Sequence, residues 1–170
     1  MNWLDSEQRY GVVSRLVHWA MAPLVLLMLA SDWWMEALSK GTAMGLHKST
    51  GLLLLGLLAF RLAWRWVNRG RLAPPAHLRR AAWLGHLALY GLLVAIPVTG
   101  LLAAWGSGHG VAFFGLPLIP AGAEVEWLEE AFEEGHEVLA NLLWLVIGGH
   151  LLAVLAHQWL FADRTLQRMT

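Results

Sequence analysis

The sequence predicts an all-α membrane protein, a four-transmembrane-helix bundle with a short periplasmic amphipathic helix between the third and fourth spans. Hydrophobic residues make up 58% of the 170 residues and charged residues only 14%. The mean hydropathy is +0.52, and these values are not those of a soluble domain of this size. Four segments are long and apolar enough to be membrane spans. Because the sequence contains no internal repeat, residues 1–170 are expected to form a single domain.

The four predicted spans cover about residues 16–30, 46–66, 83–105 and 138–161. The first is the shortest, and a signal peptide is the alternative interpretation of it. We favour a membrane helix because the segment has neither a strongly basic leader nor a cleavage site of small residues. Three further spans follow it, as expected for the first helix of a bundle.

Arginine is concentrated around the link between the second and third spans. Six arginines lie there, whereas no lysine or arginine occurs between Arg80 and Arg164. The positive-inside rule predicts that this link, which contains Pro74 and Pro75, faces the cytoplasm. With four spans, both termini then face the cytoplasm as well. The six residues are Arg61, Arg65, Arg69, Arg71, Arg79 and Arg80.

The connection between the third and fourth spans, residues 106–135, is acidic and is expected on the periplasmic side. Trp127, Leu128, Ala131 and Phe132 recur in it at helical spacing. This pattern predicts a short amphipathic helix on the membrane surface. A solvated lid without any chemistry is the alternative. The glutamates that alternate with the apolar residues are Glu124, Glu126, Glu129, Glu130, Glu133 and Glu134.

Two histidines of the fourth span share one face of the helix. His136 and His150 are fourteen residues apart, which is about 40° short of four turns and about 21 Å along the axis. They would form half of a ladder that holds two haems across the membrane. His47, which opens the second span, is predicted to complete the outer pair with His136. The sequence contains no cysteine, so the haems would be b-type and held noncovalently.

The inner haem has more candidate ligands than it needs. His18, His86, His150 and His157 all fall in the inner half of the predicted membrane region. Their distances from the nearest charged helix ends place His18 and His150 deepest, which favours this pair. His86 with His150, or His18 with His157, remain open. Because histidine titrates near neutral pH, the shallower His86 and His157 are candidates for relaying protons.

Two arginines are candidates for binding the propionates of an inner haem. Arg61 follows His47 by fourteen positions and therefore projects from the same face of the second span. Arg15 lies about one turn before His18. A guanidinium group pairs strongly with a carboxylate. A contact with lipid headgroups explains either arginine equally well.

Five stretches of the sequence resemble the bacterial cytochrome b561 family. They are residues 10–19 (YGVVSRLVHW), 45–51 (GLHKSTG), 85–90 (GHLALY), 113–117 (FFGLP) and 135–159, which begins with GHEVLAN and ends with GGHLLAVLAHQW. The resemblance covers nearly the whole chain, and the order of its histidines makes it specific.

In that family, four helices hold two b haems, one near each membrane face, and members exchange electrons with quinone. The resemblance implies that His18 and His150 bind the inner haem and that His47 and His136 bind the outer one. It also implies a bacterial cytoplasmic (inner) membrane as the location.

The resemblance also implies an activity. The best-characterised type in the family oxidises superoxide and reduces ubiquinone, and we expect this function here, with superoxide oxidised to O₂ at the periplasmic side. By the same resemblance, His86 and His157 lie near an inner quinone site.

The charge of the outer face bears on the electron donor. Lys48, next to His47, offers an anionic donor such as superoxide a local point of access. The acidic segment suits a basic redox protein instead, so the alternative is a cytochrome b subunit that links a periplasmic dehydrogenase or hydrogenase to the quinone pool. A haem-binding assembly factor without turnover is a third hypothesis, but it does not explain two haem sites stacked across the membrane. Zero formal net charge argues against a nucleic-acid partner.

Overall fold

The computed structural model describes residues 2–74, 77–163 and 165–170, so Pro75 and Arg164 lie outside the described residues. Helices dominate this part of the chain. The elements in order are α1 (Val12–Leu29), α2 (Ser31–Met35), α3 (Lys40–Val67), α4 (Arg79–Gly106), β1 (Val111–Phe113), β2 (Leu116–Ile119), α5 (Glu126–Trp159) and a 3₁₀ turn (Leu166–Arg168).

Four of these helices match the four predicted spans, so the predicted fold class is confirmed. Each of α1, α3, α4 and α5 is long and apolar enough to cross a membrane. Between 6% and 17% of the residues in their most apolar stretches are buried within the bundle. The other apolar side chains face outward, which is favourable against lipid and costly against water.

The centre of the bundle is a small apolar core. Val25 of α1, Leu92 of α4 and Leu143 of α5 are buried against one another, and Leu54 of α3 packs against them. The closest helix pairs are α4 with α5 and α1 with α3. The core therefore joins all four spans near their middles, and the polar side chains described below lie toward the two ends of the bundle.

The separate amphipathic helix expected before the fourth span is not confirmed. Trp127 and Phe132 lie instead in the first turns of α5, a single helix of 34 residues. Gly135 lies within this helix, and a glycine costs a helix interior only about 1 kcal/mol, too little to end it. Glu126 and Glu129 in its first turn interact favourably with the positive end of the helix dipole.

A small β-hairpin, absent from the sequence prediction, precedes α5. Strands β1 and β2 are antiparallel and are joined by Phe114 and Gly115, which both have positive φ angles, 47° and 90°. The hairpin is fastened to α3: the Phe114 N–H donates to Ser49 Oγ at 2.9 Å, and Lys48 Nζ donates to the Gly110 carbonyl at 3.1 Å. It therefore lies beside the helix that carries His47.

The opposite end of the bundle is closed by both terminal segments and the α3–α4 link. The Tyr10 N–H donates to the Arg168 carbonyl at 3.0 Å, and the Arg168 guanidinium donates to the Ala73 carbonyl at 2.6 Å. Asp5 accepts a hydrogen bond from Ser14 Oγ at 2.6 Å. The termini and the arginine-rich link thus lie at the same end of the bundle.

Candidate functional site

Two histidines from different helices face each other near the hairpin, and we call them the outer pair, His47 and His136. His47 lies on α3 and His136 on α5, and their ring centroids are 6.0 Å apart at an interplanar angle of 65°. A metal ion held between two imidazole nitrogens, each about 2 Å from it, separates the ring centroids by about 6 Å. The spacing therefore fits a haem iron that His47 and His136 would hold between them.

The surroundings of His136 leave one ring nitrogen available as a ligand. The His136 Nδ1–H donates to the Ile96 carbonyl of α4 at 2.8 Å. A histidine that ligates a metal commonly donates its other N–H in this way, which fixes its tautomer and orientation. Within the described part of the chain, His47 Nδ1 is buried without a hydrogen-bond partner. A metal bound between the two rings would give the buried imidazole nitrogens of His47 and His136 a partner.

Gly100 makes the space in which the His136 ring lies. A Cβ added at Gly100 would lie 3.0 Å from both Cε1 and Nδ1 of His136. We therefore expect Gly100→Ala to displace the His136 ring and to destabilise the fold by about 1–3 kcal/mol, as overpacking does. The measurement is haem content together with thermal unfolding. Gly91→Ala on the same helix is the control, because a Cβ there meets nothing within 4 Å; equal haem loss in both variants would contradict this role.

The second group of histidines, the inner cluster, contains His18, His86 and His150. The rings of His86 and His150 have centroids 5.8 Å apart at an interplanar angle of 77°, which also fits two axial ligands. The His86 Nδ1–H donates to the Ala82 carbonyl at 2.6 Å. His18 Nδ1 accepts a hydrogen bond from Arg61 at 2.9 Å.

The structure thus places the rings of His150 and His86 side by side, while the contact of His18 is with Arg61. Three imidazoles are available for two axial positions. The pair His18 and His150 stays a prediction from the sequence. The pair His86 and His150, which the sequence left open, is the one whose rings are adjacent.

The predicted cations lie in different surroundings. Arg61 is at the inner cluster, where its Nε also donates to Tyr90 Oη at 3.4 Å and its guanidinium lies 6.0 Å from the Tyr90 ring centroid. Arg15 donates instead to the Thr170 carbonyl at 2.5 Å. Lys48, half-buried, points to the hairpin rather than to open solvent. Of the two arginines, Arg61 has the contact with a histidine of the inner cluster.

His157 is buried near the end of α5 and is paired with a carboxylate that sequence analysis did not identify. The His157 Nδ1–H donates to Asp163 Oδ2 at 2.6 Å, and the two side chains are 6% and 11% exposed. Burial raises the pKa of Asp163, but hydrogen bonds from Thr165 and His157 outweigh it, so the pKa lies below its ordinary value. Asp163 lies six residues beyond His157, outside the helix, where periodicity gives no signal.

The two histidine sites together suit a pair of haems, and comparison with known proteins decides the family. The family model described as prokaryotic cytochrome b561 matches residues 9–170. The chain belongs to this family. Cytochrome b561 homolog 2 of Escherichia coli (strain K12) is 35% identical over 187 aligned positions, which cover 99% of this chain and 95% of that protein.

Two further relatives of this cytochrome b561 family member are more distant or shorter in alignment. Probable superoxide oxidase CybB of Yersinia pestis is 27% identical over 182 positions, which cover 96% of each chain. Cytochrome b561 homolog 1 of Escherichia coli (strain K12) is 32% identical over 96 positions, which cover 56% of this chain and 54% of that protein. The family predicted from the sequence is confirmed, and with it haem binding, electron transport and a bacterial membrane.

Proposed function

We propose that this cytochrome carries two b-type haems, one at the outer pair and one at the inner cluster, and transfers electrons across the bacterial inner membrane to ubiquinone. Superoxide is the proposed donor at the periplasmic side. The observation that carries the proposal is the pair of two-imidazole sites on α5, at His136 and His150, each with a histidine ring from another helix about 6 Å away.

A b-type haem held by two histidines would supply a one-electron carrier suited to outer-sphere electron transfer rather than to oxygen binding. The protein holds the ligands in place: the carbonyls of Ile96 and Ala82 each accept an Nδ1–H and so keep the opposite nitrogen unprotonated. Overall, two superoxide anions give one electron each, and one ubiquinone takes two electrons and two protons. The products are two O₂ and one ubiquinol.

The distribution of charge supports the proposed orientation of the protein in the membrane. The arginine-rich α3–α4 link and both termini lie at the inner-cluster end, and the positive-inside rule assigns this end to the cytoplasm. The hairpin end then faces the periplasm, and Lys48 beside His47 is the cation nearest in sequence to the outer pair. A relative of similar length is named Probable superoxide oxidase CybB, which supports the same donor.

The proposed function is tested by giving purified holoprotein superoxide as the sole reductant in the presence of ubiquinone. We expect one ubiquinol for about every two superoxide anions consumed, and no ubiquinol when superoxide dismutase is added. Lys48→Gln should slow the reaction most at low ionic strength, where charge steering is strongest. Haems that a chemical reductant reduces but superoxide does not would rule out this donor.

The acidic start of α5 favours a second candidate, an electron-transfer subunit for a periplasmic dehydrogenase or hydrogenase. Glu126, Glu130, Glu133 and Glu134 are all exposed there and would attract a partner with a basic surface. Purification from membranes in mild detergent at low salt tests this candidate. A redox enzyme that co-purifies in a fixed ratio, and is lost when these glutamates become glutamines, would favour it over superoxide oxidation.

His157 is proposed to deliver a proton to quinone, and His157→Ala is expected to slow quinone reduction by about tenfold or more, since general acid catalysis contributes about 10²–10⁴. Haem content should be unchanged because both proposed haems have other ligands. Ubiquinol formation and the haem-to-polypeptide ratio are measured on the same sample, with exposed His109→Ala as the control. Loss of haem in His157→Ala would make His157 a ligand instead.

A further inference from the structure

A buried imidazole–carboxylate pair joins the end of α5 to the segment that follows it. His157 Nδ1 and Asp163 Oδ2 are 2.6 Å apart. The Asp163 N–H donates to the His157 carbonyl at 3.2 Å, so backbone and side chain both tie the two residues together. The chain leaves the helix through Ala162, which has a positive φ of 50°. This bend brings the carboxylate back onto the last turn of α5.

The second oxygen of Asp163 is also occupied. Asp163 Oδ1 accepts hydrogen bonds from Thr165 Oγ1 at 2.6 Å and from the Thr165 N–H at 3.2 Å. An ionised carboxylate has only acceptor oxygens, so its hydrogen bond with His157 requires that the proton be on His157 Nδ1. The other ring nitrogen, Nε2, is then the one that can exchange a proton with a substrate.

We propose that Asp163 is a positioning residue for quinone reduction: its carboxylate fixes the orientation and tautomer of His157 and stabilises the imidazolium form that gives a proton to quinone. This inference rests on the proposed function. The same arrangement of carboxylate and imidazole supports proton transfer wherever an imidazole must carry a transient positive charge. Among the residues that the structure describes, Asp163 is the acidic side chain that forms a hydrogen bond or ion pair with His157.

In the proposed step, His157 is the proton donor and the quinone is the acceptor. The protonated His157 gives its Nε2 proton to an oxygen of the quinone as the quinone accepts electrons, and the imidazole becomes neutral with Nδ1–H still bonded to Asp163. Nε2 then takes a new proton from the inner aqueous phase before the second transfer. Two electrons and two protons convert one quinone to one quinol. Asp163 stays ionised throughout.

His77 offers an internal comparison, because it approaches the same carboxylate more loosely. His77 Nδ1 is 3.9 Å from Asp163 Oδ2, and its side chain is 51% exposed. Its ring stacks on Phe161 with centroids 4.8 Å apart. Among the described residues, two ionisable side chains form ion pairs with Asp163: His157 from α5 and His77 from the α3–α4 link. Only His157 is within hydrogen-bonding distance.

The test uses the haem-loaded protein and four variants: Asp163→Asn, Asp163→Ala, Thr165→Ala and His77→Ala. Asp163→Asn keeps the shape and an acceptor oxygen but removes the charge. We expect quinone reduction by Asp163→Asn to fall about tenfold or more in kcat, with haem content and KM for quinone unchanged. The high-pH limb of the kcat profile should move to lower pH, because the imidazolium loses its counter-charge. Thr165→Ala should cause a smaller loss, and His77→Ala about none.

A second measurement does not depend on turnover. Nitrogen NMR of histidine-labelled protein reports which ring nitrogen of His157 carries the proton. Wild type should show the Nδ1–H form, and Asp163→Ala should shift His157 toward the Nε2–H form. A slower rate without a shift in the pH profile would indicate a purely structural role and overturn the inference, as would an unchanged tautomer in Asp163→Ala.

The two measurements separate this inference from the proposed function. A wild-type protein with the Nδ1–H tautomer but no quinone reduction would end the proposed function and, with it, the role of Asp163 in that reaction. Normal quinone reduction in Asp163→Asn, with the pH profile unchanged, would overturn the inference and leave the proposed function intact.

Discussion

His136→Ala is expected to lose the haem of the outer pair and to retain that of the inner cluster, so that haem per polypeptide falls by about half. The physical reason is that no other imidazole faces His47 among the described residues: its ring partner is His136, at 6.0 Å. With one axial ligand missing, b-type haem has no covalent bond to keep it in place. The haem-to-polypeptide ratio and a redox titration measure this loss, and one of two titration steps should disappear.

His47→Ala should give the same loss, because the two ligands act as a unit and the double variant should lose no more than either single one. His109→Ala, which changes an exposed loop histidine near the hairpin, is the matched control and should keep both haems. His136→Gly should regain the lost haem when free imidazole is added, since the space left by the ring then admits the missing ligand. Full haem occupancy in His136→Ala would contradict the assignment.

The spans and the outer pair were accessible from the sequence because simple periodicities determine them. Four apolar segments gave four helices, and a fourteen-residue spacing put His136 and His150 on one face of α5. His47 could be assigned to His136 because both residues begin a span at the same membrane face. Helix geometry gives each residue its depth, and the packing of α3 and α5 then brings the two rings together.

The features that the sequence did not reveal depend on tertiary contacts. The hairpin has strands of three and four residues, and it is held in place by Ser49, which is buried and lies more than sixty residues away. Asp163 meets His157 only because the chain bends back at Ala162. Helix α5 continues through Gly135 because the cost of a glycine in a helix is small compared with what packing can supply. The amino-acid sequence alone does not show which of the two is larger.

His150→Ala is expected to have the largest effect on function, because His150 belongs to two of the three candidate inner pairs, including the one whose rings are adjacent. Loss of His150 should remove the inner haem, halve the haem content and abolish electron transfer from the periplasmic side to quinone, while the outer haem remains reducible. A comparison of redox spectra with superoxide or a chemical reductant, in the same vesicles, measures this. Retention of both haems in His150→Ala would rule out His150 as a ligand of the inner haem.

The partner of His150 is then decided by comparing His18→Ala with His86→Ala. We expect His18→Ala to lose the inner haem, as the depth of the histidines in the sequence predicts; ligation by His18 Nε2 then requires Arg61 to leave His18 Nδ1 and to pair with a haem propionate. His86→Ala should keep the haem and change only the rate of quinone reduction. The ring of His86 is nevertheless the one adjacent to His150, so the opposite result, haem loss in His86→Ala alone, would assign His86 as the ligand. Arg61→Gln discriminates further: it should weaken inner haem binding if Arg61 pairs with a propionate and leave it unchanged if Arg61 serves only His18 and Tyr90.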